Sequence, residues 1–139
     1  MEFHGHNDFG LAVSNTLTAL QSGAEWVSTT VLGIGEGAGN ANMESVALAA
    51  DQLLHYQVDL SLTGMLAAAQ TVASMAQRQM PVDQPVVGAS IFTHESGIHV
   101  DGTLKARGCW PTTESHALQT ASRICCAPSR PSGREARLH

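Results

Sequence analysis

The chain has 139 residues, 43% of them hydrophobic, which is enough for one domain with a core. A formal net charge of −5 argues against a nucleic-acid-binding face. No run reaches the roughly 18 consecutive apolar residues of a membrane span, and no basic-then-apolar leader opens the sequence, so the expected setting is the cytoplasm without membrane contact.

The low aromatic (4%) and charged (14%) fractions, with abundant Ala and Gly, read as a tightly packed soluble α/β protein. Charge is unevenly placed. Before Lys105 the only Lys or Arg is Arg78, against ten acids, whereas from Lys105 onward there are six basic residues and two acids. That shift marks a boundary. Cys109, Cys125 and Cys126 lack the paired spacing of a zinc site and the density of a disulfide scaffold, and read as reduced thiols.

In chain order, Glu2 to His6 reads as a short strand, and Asn7-Asp8-Phe9-Gly10 as the loop to a helix that Asp8 would cap. Alternation along the strand puts His4 and His6 on one face with Gly5 between them, a nascent metal site. An Asn carbonyl from a neighbouring loop, Asn40, would be a third donor, and such a nitrogen/oxygen set suits Mn, Fe, Co, Mg or Zn. Alone, the pair reads as two histidines on a half-buried strand. Leu11, Leu17, Leu20 and Ala24 recur at helical spacing up to a stop at Gly23.

Trp26 to Leu32 is apolar and β-branched, the composition of a buried strand, and it runs into the Gly-rich loop Gly33 to Asn40. Gly33, Gly35 and Ala38 formally fit a dinucleotide pattern, but no acidic residue follows at the right place on a second strand. A tight turn needing positive φ is the better reading. Asn40 or Asn42 would cap a helix with Val46, Ala50, Leu53 and Leu54 on its apolar stripe. Strands alternating with helices imply a parallel sheet whose ligand sites lie beyond the strand ends, where the His pair and this loop both fall.

Ser61 opens a longer amphipathic helix with Leu62, Met65, Leu66, Ala69, Val72 and Met75 on one face. Pro81 and Pro85 bound a linker. Beyond it, His94, Glu95, His99 and Asp101 cluster as a candidate acid/base site, although a polar capping loop reads the same way. From 107 to 139, Pro and scattered Arg interrupt any periodicity, and the tail is expected to be largely irregular.

Three segments, Glu2 to Ala12, Thr29 to Asn40 and Phe92 to Gly102, together resemble the homocitrate synthases of nitrogen fixation in order and spacing. These belong to the metal-dependent, acyl-CoA-condensing TIM barrels that include 2-isopropylmalate synthase. The likeness covers residues 1–106 and implies the last two strand–helix units of a (β/α)8 barrel (1–58), a helical segment opening a C-terminal subdomain (59–106) and the irregular tail (107–139). It implies His4, His6 and Asn40 as ligands of a divalent metal, with the ion holding a 2-oxo acid. Thr30 matches a position that contacts the substrate carboxylate. His99 matches a catalytic histidine delivered into the partner subunit of a homodimer, and Glu36 is the second candidate catalytic residue. The substrates implied are acetyl-CoA and 2-oxoglutarate, joined by a Claisen condensation.

The sequence also departs from that pattern. No Asp-Arg-Glu motif of a first barrel strand precedes Met1, Gly37 stands where the family carries Arg, and no Gly-Lys-His-Ser-type stretch follows Lys105. A reading-frame shift after Lys105 would produce such a tail. The alternatives are a 2-isopropylmalate-type condensation and a non-catalytic fragment or partial subunit that joins a second chain completing the barrel.

Overall fold

The computed structural model describes residues 1–91 and 137–138. The described chain is α/β. Strand β1 (Glu2–His4) leads through helix α1 (Ala12–Gln21) to strand β2 (Trp26–Ser28), and the two strands pair in parallel with Phe3 opposite Val27 and His4 opposite Ser28. A 3-10 turn (Val31–Gly33), helix α2 (Met43–Gln52) and helix α3 (Leu62–Met75) follow. Strand β3 (Arg137–Leu138) lies parallel on the other side of β2, giving the order β1-β2-β3. No described helix is long and apolar enough to cross a membrane.

The core forms where α1 and α2 pack on the strands. Ala12, Leu20, Val27, Ala41, Val46 and Ala50 make its buried centre, flanked by Phe3, Val13, Leu17, Tyr56 and Val58. The buried stripe of α1 is Ala12, Thr16 and Leu20, not one that begins at Leu11, which is 54% exposed. Ala12 and Thr16 take the first two of these positions because the helix lies close to β1: a Cβ on Gly5 would stand 3.5 Å from Thr16 Oγ1. Thr16 tolerates burial by donating its hydroxyl to the Ala12 carbonyl at 2.8 Å.

Asp8 does not cap α1. The Asn7 side chain does the nearest equivalent, accepting from the Ala12 amide at 3.2 Å. At the other end Gly23 (φ +98) closes a Schellman motif, its N–H reaching the Leu20 carbonyl while the Ala24 N–H reaches Ala19. Of the two Asn candidates for α2, Asn42 is the cap, accepting from the Ser45 amide at 2.8 Å. Val46 and Ala50 are buried as expected, but Leu53 is 54% exposed. On α3, capped by Ser61, Met65 and Ala69 are buried and Met75 is exposed.

One expectation shortens. The strand read from Trp26 to Leu32 ends at Ser28, because Thr30 leaves β1 and bridges to Asn42 instead, and its carbonyl accepts from both Gly33 and Met43. At the end of the tail Arg137 and Leu138 form a short strand, and residues 107–136 lie outside the described residues. The unpaired N–H and C=O groups along the edge of β2 supply the reason for that strand.

Candidate metal and substrate site

The site is built by two chain segments running antiparallel past the C-terminal end of β1. The Asn7 amide donates to the Gly39 carbonyl at 2.9 Å, and the Ala41 amide donates to the Gly5 carbonyl at 3.1 Å. These two bonds flank the pair His6–Asn40, which is therefore the non-hydrogen-bonded kind, the arrangement that brings facing side chains closest. His4 lies on the same face as His6. Their rings stand edge to face with centroids 4.9 Å apart. Phe3 and Gly5 point the other way, toward α1, so both imidazoles are exposed on the face opposite the helix.

The Gly-rich loop serves Asn40. The Gly33 carbonyl accepts from the Asn40 amide at 3.0 Å. Gly39 has φ +92 and lies so close to the Gly33 carbonyl that any Cβ would collide with it. A Cβ on Gly35 would fall 2.7 Å from Asn40 Cγ, so its absence makes the space for the carboxamide. This is the tight turn with positive φ that the sequence suggests, and it holds a side chain. The Asn40 Oδ1 is buried and finds no hydrogen-bond partner among the described residues.

That orphaned oxygen tests the fit of a divalent ion. Two imidazoles and an amide oxygen lacking a donor are a set that a borderline cation satisfies. Among the described residues no group of three His, Cys, Asp or Glu side chains comes together, so water or groups outside them would complete the shell of an ion held by these three donors.

Thr30 precedes the 3-10 turn. Its Oγ1 and the neighbouring Asn42 Nδ2 are also buried without partners among the described residues. Glu36 is exposed on the loop, and its carbonyl accepts from the Gly39 amide at 2.9 Å. His99, with His94, Glu95 and Asp101, lies outside the described residues. His4, His6 and Asn40 are thus brought together, while Thr30 is tied to the Asn40 segment through its amide, which donates to the Ala41 carbonyl at 3.0 Å.

Sequence reading missed Glu44. It is fully buried in the first turn of α2, and both its carboxylate oxygens accept from the Leu32 amide at 3.1 Å. Burial pushes its carboxyl above the usual carboxylate range, against the backbone N–H groups of Glu44 and Leu32 that favour the charged form. The only sequence signal was an acid set beside apolar Val46 and Ala47 on a helix whose buried face needs none.

Residues 1–72, just over half of the chain, match the HMGL-like family. The chain belongs to that family. HMGL-like relatives include a homocitrate synthase of Frankia alni, 54% identical over 104 residues that cover 75% of this chain and 30% of the relative. A homocitrate synthase of Frankia sp. (strain FaC1) is 51% identical over 75% of this chain and 25% of its own length. A 2-isopropylmalate synthase of Caldanaerobacter subterraneus subsp. tengcongensis is 41% identical over 76% of this chain and 27% of its own. The chain thus spans less than a third of each of these HMGL-like proteins.

Proposed function

We propose that this chain carries the metal-ligating strand ends, and part of the substrate site, of a homocitrate synthase, which condenses acetyl-CoA with 2-oxoglutarate to give homocitrate and CoA. The observation that carries this reading is the facing pair of His6 and Asn40 beside His4, with an amide oxygen left over for a cation. The homocitrate synthase of Frankia alni, at 54% identity, favours that substrate over the 2-isopropylmalate type, at 41%.

The finer architecture we assign is two terminal strand–helix units of a (β/α)8 barrel in residues 1–58, a helical segment in 59–106 and the tail in 107–139. The parallel β1–α1–β2 unit supports it, as does the position of the His pair at the C-terminal end of β1, where such barrels hold their active sites. The face carrying His4 and His6, turned away from α1, would be the barrel interior. A barrel takes about 250 residues, so the remaining units come from sequence beyond this stretch or from a second chain. A homodimer is the assembly in which His99 would reach a partner's barrel.

His4 and His6 would bind the ion through ring nitrogens and Asn40 through Oδ1. A divalent ion bound there supplies Lewis acidity to the carbonyl of the 2-oxo acid. Thr30 would donate its hydroxyl to the substrate carboxylate. In the reaction the acetyl-CoA methyl group loses a proton and its carbon bonds to C2 of 2-oxoglutarate. The former carbonyl oxygen gains a proton, and water then cleaves the thioester of homocitryl-CoA to homocitrate and CoA. His99 is assigned to proton transfer with Glu36 as the second candidate.

The test is a chimera in which this chain's matching segment replaces its counterpart in the Frankia alni enzyme. CoA thiol release should require acetyl-CoA, 2-oxoglutarate and a divalent metal, and His4→Ala should lower it on the order of 100-fold. An unchanged rate would remove His4 from the ligand set. Preference for 2-oxoisovalerate would shift the reading to the 2-isopropylmalate type. His99→Ala should slow turnover while leaving substrate binding intact.

A further inference from the structure

We infer that Glu44 is a positioning residue, whose buried carboxylate anchors the turn that carries Thr30 and Asn40 into the proposed site. The inference rests on the ligand assignment above. A carboxylate with no exposure is costly unless something specific uses it. Among the described residues no cation pairs with Glu44. The Met1 ammonium, for its part, pairs with Glu25. The bonds Glu44 does make are to the Leu32 amide, one from each oxygen at 3.1 Å. Its place in the first turn of α2 adds the favourable field of a helix N-terminus.

Leu32 is the residue in need of an anchor. Its φ of +58 is one that a non-glycine residue adopts only at a cost, so something must over-determine it. The backbone bonds that fix the site radiate from this turn. Thr30 is held through its amide to Ala41 and its carbonyl to Gly33 and Met43, and Asn40 is held through its amide to the Gly33 carbonyl. Glu44 is the side chain that ties the middle of the turn to a helix. Without it Leu32 can relax toward ordinary backbone, Gly33 turns with it, and the carboxamide of Asn40 moves relative to His6. The effect on the ion is indirect, passing through two hydrogen bonds.

The full 139-residue chain, titrated with Mn(II) and followed by the electron paramagnetic resonance of the free ion, tests this. Affinity is taken per folded molecule, with the folded fraction from circular dichroism and urea denaturation. Glu44→Ala should weaken binding about tenfold, the scale for groups that orient a ligand from behind. Glu44→Gln keeps one oxygen for the Leu32 amide and should recover most of it. Glu44→Asp keeps the charge but is one methylene too short, and should bind as weakly as Glu44→Ala. A purely structural role would lower the urea midpoint and leave affinity per folded molecule unchanged. Should Glu44→Ala fail to fold, Gln and Asp decide, and equal affinity in wild type and Glu44→Asp overturns the inference. Weakening by His4→Ala with none by the Glu44 variants overturns it alone. Absence of Mn(II) binding by the wild type, or full binding by His4→Ala, overturns the ligand assignment and this inference with it.

Discussion

Glu44 holds its proton to higher pH in the folded chain than in the unfolded one, because desolvation outweighs the two backbone N–H groups acting on it. A raised folded value means that the folded state binds more protons between the two values. Its contribution to stability is therefore greatest below the ordinary carboxylate value and is lost as pH rises through the raised folded value. Urea midpoints across that range should fall with pH in the wild type, and this component should vanish in Glu44→Gln. An identical slope in both would show that Glu44 does not titrate as described. A second residue-scale expectation concerns Gly35, where a methyl group would fall on the Asn40 carboxamide. Gly35→Ala should weaken Mn(II) binding more than it lowers the urea midpoint. Loss of stability without loss of affinity would mean that the carboxamide has room to adapt. His4 and His6 could be paired from the sequence because strand alternation needs no tertiary knowledge. Asn40 was reached from its loop and the resemblance, but its pairing with His6 depends on two backbone bonds, from Asn7 and Ala41, that no local pattern announces.

Helices α1 and α2 show which boundaries a sequence carries. Gly23 and Asn42 both marked theirs, since a left-handed C′ residue and a side-chain oxygen before a helix are local chemistry. Asn42→Ala should cost about 1 kcal/mol in urea denaturation, and Gly23→Ala a similar amount, about 1 kcal/mol, from its positive φ. A neutral Asn42→Ala would mean that Glu44 alone suffices to start the helix. The stripe on α1 keeps Leu20 but takes in Ala12 and Thr16 in place of Leu11, for a non-local reason. Ala12 and Thr16 outrank Leu11 because Gly5 draws the helix close to β1, and closeness is not written in periodicity. The same holds for β2. Its β-branched run continues past Ser28, yet the strand stops where Thr30 finds Asn42 rather than a neighbouring strand.

Across the whole molecule, the parallel sheet was legible from the alternation of strand and helix, whereas its third strand was not. Two residues at the far end of a Pro- and Arg-rich tail carry no strand signal, and they pair because β2 offers an edge. Deleting residues 137–139 should expose that edge and raise self-association, measured by sedimentation velocity. Unchanged sedimentation would show that the edge is otherwise protected. The pairing of Gly5 to Asn7 with Gly39 to Ala41 joins stretches separated by most of a strand–helix unit, so the histidines and the asparagine meet only when β1, α1, β2 and the loop are all in place. An ion recognising that meeting would bind the native state and not the unfolded one. Free metal at a hundred times its dissociation constant would then add about 2.7 kcal/mol to stability, and the melting temperature of the chain would become a gauge of the metal around it.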